Sequence, residues 1–124
     1  MKLTHLGLIA TALIAMMAIA APEAPAEKKL PKLVDLGAGM CIPCQKMTPI
    51  LEELKKEYAG KLEVEFIDVR KNPGAAKKYG IQLIPTQIFY DATGKELFRN
   101  EGFLGKEDIL AKWKELGIKL TDDK

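Results

Sequence analysis

Two cysteines, Cys41 and Cys44, the only ones in 124 residues, stand three positions apart where a short apolar run gives way to an amphipathic helical pattern. No other feature narrows the possible folds so far. A Cys-x-x-Cys at such a junction is the sequence form of a dithiol/disulfide redox site. A residue just ahead of a helix and one in its first turn lie close enough to join, and two intervening residues leave the ring little slack. The leading thiol at a helix N-terminus faces unpaired backbone N–H groups and the positive end of the macrodipole, which favour its anion. Thiolate is the reactive form, so the position itself confers chemistry. Two other readings stay open here: a permanent structural disulfide, which would close almost no loop, and a two-thiolate metal clip shared between chains.

The first 21 residues read differently from the rest. Met1 to Ala21 holds one lysine, Lys2, then an uncharged run of 16 residues from Leu6 to Ala21 that ends near Ala18-Ile19-Ala20. A basic start, an apolar stretch and a small-x-small ending predict a secretory signal peptide cut after Ala20. An uncleaved membrane anchor over residues 6–21 is the alternative, although the run falls just short of the roughly 17–25 residues that span a bilayer. A lipid anchor would want a cysteine near the cleavage point, and none stands there. In either case the domain is expected outside the cytoplasm, periplasmic or otherwise exported, where disulfides form and persist.

Removing that segment takes one lysine from 19 basic residues and leaves 18 against 17 acidic ones. A net charge so close to zero offers no field to draw nucleic acid or an acidic membrane surface. The same segment carries the only histidine, His5. A mature chain without histidine excludes a Cys-His protease, a Ser-His-Asp hydrolase and a Cys/His zinc site. It also excludes attached c-type haem, which would want histidine where Gln45 stands. No metal or cofactor is expected, and the reading is of a monomer.

Residues 22–31, Pro-Glu-Ala-Pro-Ala-Glu-Lys-Lys-Leu-Pro, form a polar proline-containing tether, so the folded domain is expected over 32–124. With 48% hydrophobic and 29% charged residues in the chain, one soluble domain is the expected class. Leu33-Val34-Asp35-Leu36 predicts a buried central strand with Asp35 the anomaly in it. From Pro43 to Tyr58, Met47, Ile50, Leu51, Leu54 and Tyr58 recur at helical spacing, with Pro49 expected to kink the helix and Gly60 to stop it. A strand over 62–69 follows. Asn72-Pro73 predicts the cap and first turn of a short helix closed by Gly80, and the alternation of strand and helix implies a parallel pair with a right-handed crossover. Ile84 to Tyr90 predicts a third strand, Asp91-Ala92-Thr93-Gly94 a turn, and Lys95 to Asn100 the returning hairpin strand. Lys106 to Leu116 predicts a last helix with Ile109, Leu110, Trp113 and Leu116 on one stripe.

From Lys32 to about Leu120 these residues resemble the thioredoxin superfamily, and specifically its small exported members. Val34-Asp35 six residues before the first cysteine, Cys41-Ile42-Pro43-Cys44, Pro49, Asn72-Pro73, Tyr79-Gly80-Ile81, Ile84-Pro85-Thr86 and Gly102 fall in that family's order and approximate spacing. The resemblance implies an α/β fold in which a central four-stranded mixed sheet is flanked by three helices, with a cis peptide before Pro85. It implies that Cys41 attacks a substrate disulfide and that Cys44 closes the Cys41–Cys44 bond to release the product. Asp35 resembles the family's buried carboxylate, able to take or return the proton of Cys44. Ile42, Pro43, Ile84, Pro85 and Gly102 match the family's substrate-docking edge, where an extended peptide pairs with backbone.

Four residues depart from the family pattern. Gly37 and Met40 stand where thioredoxins usually carry tryptophans, which is expected to reduce the apolar surface of the site. Ile42 replaces a glycine between the cysteines. Phe66 stands where a lysine usually pairs with the buried aspartate, so Asp35 is expected to hold its proton more tightly unless it reaches other polar groups. Because Ile42-Pro43 supplies neither charge nor donor to a thiolate, the expected role is a reductase or electron carrier acting on protein disulfides, recharged by a membrane dithiol donor. The alternative is a non-catalytic module that keeps the fold to bind proteins, as a chaperone or assembly factor would.

Overall fold

The structure, a computed structural model, describes residues 29–121. The expected leader over 1–21, with His5, and the tether residues 22–28 lie outside the described residues.

A strand covered by helices on both faces must be apolar on both, and Leu33-Val34-Asp35-Leu36 is nearly so. It forms the middle of β1 (Lys32–Gly37), flanked on both sides in a sheet of order β2-β1-β3-β4. Helix α1 (Ile42–Glu57) carries the chain over one face to β2 (Glu63–Asp68), which runs parallel to β1. After α2 (Ala75–Tyr79), strands β3 (Thr86–Tyr90) and β4 (Glu96–Glu101) form an antiparallel hairpin, and β3 lies antiparallel to β1. Helix α3 (Lys106–Glu115) ends the fold.

Alternation along each strand sorts the core into two layers. Leu33, Val64 and Phe89 face α1 and α3, packing with Met47, Leu51, Leu54, Ile109 and Trp113. Val34, Leu36 and Ile88 face the other way, toward Tyr79 and Ile81. Trp113 is fully buried, its ring centroid 4.8 Å from that of Phe89. Lys106 reaches back to Glu53 and Glu57 on α1 at 3.0 and 2.7 Å, so the two helices on this face are joined at the surface as well.

The strand register places the α1 face in three rows, and these rows position the site. Val64, Leu33, Phe89 and Phe98 make an apolar inner row. Phe66, Asp35, Gln87 and Asn100 make the next. The outer row begins with Asp68 paired to Gly37. Pro85, one residue before Thr86, continues it, its carbonyl accepting the Gly102 N–H at 2.7 Å.

Some boundaries differ from expectation for local reasons. The short helix starts at Ala75 rather than at Pro73, because Gly74 takes a left-handed conformation at φ 89° and interrupts the turn. Asn72 does not cap it: the side-chain amide donates to the carbonyl of Asp68 at 2.8 Å, closing the loop after β2 instead. Strand β3 begins only at Thr86, since Pro85 has no N–H for a ladder. Helix α1 passes through Pro49 and ends at Glu57, three residues before Gly60.

The aromatic contact between the sheet and α3 yields the first prediction. Phe89→Ala should lower unfolding free energy by about 3–5 kcal/mol, the usual loss for a fully buried aromatic. Urea unfolding followed by fluorescence of Trp113 measures it.

Candidate functional site

Cys41 is the N-cap of α1, with extended backbone (φ −85°, ψ 116°), and its sulfur accepts the Cys44 backbone N–H at 3.3 Å. No acidic residue occupies the first turn, so nothing opposes the dipole there. Cys41 and Cys44 are joined in a disulfide with Cα atoms 5.1 Å apart. Their surroundings differ: Cys41 is half-buried, whereas Cys44 is 2% exposed.

What lets the second sulfur sink is Gly37. A Cβ at that position would stand 3.1 Å from Cys44 Sγ and 3.1 Å from Cε2 of Phe66, so the sulfur and the ring edge converge over bare backbone. The loop that follows is held at Gly39 from two elements. Gln45 on α1 donates to its carbonyl at 2.7 Å. Asp68 at the end of β2 lies across from it. The backbone N–H groups of Arg70, Lys71 and Gly39 together draw the Asp68 carboxyl below its ordinary range, that of Arg70 most strongly.

Asp35 lies one row further in and is fully buried. Gln87 Nε2 donates to its Oδ1 at 2.8 Å, while Oδ2 is buried without a hydrogen-bond partner. Burial pushes its pKa up to about 6, and the Gln87 hydrogen bond partly offsets that rise. Phe66 pairs with it across the strands and offers no charge.

The remaining residues singled out in the sequence divide by exposure. Ile42 is 68% exposed and Pro43 is exposed beside it. Ile84 is half-buried, Pro85 is buried, and the peptide bond joining them is cis. Gly102, at φ 97°, completes the outer row in a conformation only glycine takes readily. The loss of two tryptophans does not leave this end polar. The exposed large apolar side chains among the described residues are Met40, Ile42, Phe66, Leu83 and Phe103. Each either flanks Cys41 in the chain or stands in or next to the Gly37, Pro85 and Gly102 segments.

Sequence reasoning passed over Gln87, Asn100, Gln45, Asp68, Leu83 and Phe103. One signal was present for Gln87, an amide inside an otherwise apolar strand. The others became visible only through strand register and loop closure.

A buried carboxylate, a half-buried sulfur at a helix start and a second sulfur sealed behind it form the apparatus of dithiol–disulfide exchange. The family model described as Thioredoxin matches residues 23–115. The thioredoxin of Staphylococcus epidermidis is 41% identical over 78 residues, covering 63% of this chain and 74% of that one. The chloroplastic M-type thioredoxin of Pisum sativum is 47% identical over 60 residues, 48% of this chain but only 35% of the relative's length. Among solved structures, a chloroplastic thioredoxin z superposes with a TM-score of 0.66 at 30% identity, over 76% of this chain and 84% of its own. The chain belongs to the thioredoxin family. It is a protein-disulfide oxidoreductase with the fold of that family.

The raised pKa of Asp35 makes stability depend on pH. A carboxyl that titrates near 6 when folded and near 3.8 when unfolded binds its proton more readily in the native state. Native stability therefore falls as pH rises from about 4 to 6 and stays reduced above that. Asp35→Asn should remove the penalty, stabilising the fold at pH 7.5 by up to about 3 kcal/mol and by little at pH 4. Denaturant titrations of both chains at the two pH values test the sign.

Proposed function

We propose that this chain is an exported dithiol reductase or electron carrier that reduces disulfides in other proteins. Cys41 is the attacking sulfur, and the observation that carries the reading is the asymmetry of the pair: one sulfur partly open at the start of α1, the other 2% exposed beneath it. Cys41 thiolate attacks the substrate disulfide, forms a mixed disulfide and expels the first substrate thiolate. Cys44 thiolate then attacks Cys41 Sγ, closing the ring and releasing the second. Asp35 takes the proton of Cys44 in that step.

The collar of Met40, Ile42, Leu83, Phe103 and Phe66 suits a protein segment rather than a small hydrophilic thiol. Pro43, Ile84, Pro85 and Gly102 form the edge along which an extended peptide would lie beside the sulfur. The reducing direction rests on the pair Ile42-Pro43, which gives a Cys41 thiolate neither charge nor hydrogen-bond donor and so does little to favour the reduced form. A carrier spent in this way needs recharging, and a membrane dithiol donor is the partner class. Export rests on the leader-like residues 1–21, and the chain acts as a monomer.

Reduction of insulin by dithiothreitol, followed as turbidity, provides the test. The wild-type chain should accelerate precipitation several-fold and Cys41→Ser should fall to the uncatalysed rate; equal rates would remove the enzymatic reading. Equilibration of the Cys41–Cys44 pair with glutathione buffers tests direction. A pair that becomes oxidised only in strongly oxidising buffers would rule out the reducing role.

A further inference from the structure

The row of the sheet behind the disulfide is occupied by three polar side chains on adjacent strands: Asp35 on β1, Gln87 on β3 and Asn100 on β4. Asp35 and Gln87 are fully buried, and Asn100 is half-buried. The hydrogen bonds among them run one way. Asn100 Nδ2 donates to Gln87 Oε1 at 2.8 Å and to the Gly102 carbonyl at 3.2 Å, which uses both of its hydrogens. With its oxygen engaged by Asn100, the Gln87 amide has one orientation left, and its Nε2 points to Asp35 Oδ1 at 2.8 Å. The far end is anchored in turn, because the Gly102 N–H donates to the Pro85 carbonyl.

Buried carboxylates are ordinarily stabilised by a cation or by several N–H groups. Neither is present among the described residues. On the same face of the sheet, Phe66 from β2, Gln87 from β3 and Asn100 from β4 share the row of Asp35, and Cys44 of α1 lies over Gly37 in the next row, against Phe66. The titratable groups toward the site are Cys44 and Cys41, once reduced, and Asp68 in the next row, whose Oδ1 is already held by the N–H groups of Arg70 and Lys71. Among the described residues, one neutral donor on Oδ1 is the only hydrogen bond this carboxyl accepts, and Oδ2 has no hydrogen-bond partner.

We propose that Gln87 and Asn100 are positioning residues for the proton step of exchange: their amide ladder, in place of a cation, steadies Asp35 through Oδ1 and leaves Oδ2 to receive the proton of Cys44. The proposal rests on the reading of Asp35 as the base. In the step itself the Cys44 thiol gives its proton to the Asp35 carboxylate. The electron pair left on sulfur forms the bond to Cys41 Sγ, and the substrate sulfur departs with the pair of the broken bond. The proton on Asp35 then passes to the departing thiolate, so the dithiol is oxidised, the substrate disulfide is reduced, and charge and protons balance. With no donor at all, burial would raise the proton affinity of Asp35 further and leave less of it ionised at neutral pH, whereas a full positive charge would favour the anion more strongly than one neutral amide does. A single amide lies between, which agrees with a pKa lifted to about 6.

The test uses the full chain with Gln87→Met, which keeps volume and removes the donor, and Asn100→Leu, at the half-buried end. Two profiles are recorded against pH: the Asp35 carboxyl resonance in ¹³C-labelled reduced protein, and the rate of ring closure with bis(2-hydroxyethyl) disulfide as oxidant. Gln87→Met should move both midpoints up by about one pH unit, since a hydrogen bond to a charged group is of that order. Asn100→Leu should move them the same way by less, and it carries the test if Gln87→Met does not fold. Midpoints unchanged in both folded variants would overturn the proposal. A resonance that shifts while the rate profile does not would overturn it as well, and would place the failure in the reading of Asp35 as base rather than in the ladder.

Discussion

The reactive end of the molecule depends on how closely helix α1 approaches the sheet at Gly37. A side chain there would meet Cys44 Sγ and the Phe66 ring at 3.1 Å, so bare backbone is what admits the second sulfur to the interior. From that contact the rest follows in order. Cys44 is sealed, Cys41 is left as the N-cap of the helix, and the pair is held at a Cα separation of 5.1 Å. Gln45 and Asp68 then close on Gly39 from the helix and from β2, so the loop carrying Cys41 is tied both to the helix and to the strand that follows it.

Behind the disulfide the energetics turn on desolvation. A carboxyl at zero exposure loses far more from leaving water than one amide donor returns, and its proton affinity rises accordingly. The fold tolerates this because the acid sits in a polar row, bounded on one side by the apolar row of Val64, Leu33, Phe89 and Phe98 and on the other by the sulfurs. Phe66 has a double part. It removes a possible cation from the neighbourhood of Asp35, and its ring edge fills space beside Cys44 that a larger residue at 37 would claim. Two of the departures from the family pattern, Gly37 and Phe66, are thus one packing arrangement.

Period and composition made much of the fold legible. Helix α1 could be read from Met47, Leu51 and Leu54 despite Pro49, because tertiary burial of that stripe outweighs one missing backbone donor. Trp113 and Ile109 on α3 were equally plain, as apolar residues four apart in a polar segment. Asn72-Pro73 misled for a physical reason: a cap residue bonds whichever backbone group lies nearest, and the loop after β2 offered the Asp68 carbonyl first. The apolar collar was underestimated. Counting missing tryptophans takes no account of Leu83 and Phe103, which reach the site from distant parts of the chain.

The sequence by itself determined the order of strands and helices, the location of the dithiol at the start of α1 and the strand that carries Asp35. These depend on local spacing and on the chemistry of single residues, both of which can be read along the chain. Only the tertiary structure decided which side chains share the Asp35 row, that its partner is Gln87 supported by Asn100, and that Phe66 and Cys44 meet above Gly37. Those facts depend on strand register and on the distance between a helix and a sheet, quantities fixed by the packing of residues far apart in the chain, such as Asp35 and Gln87 at a separation of 52.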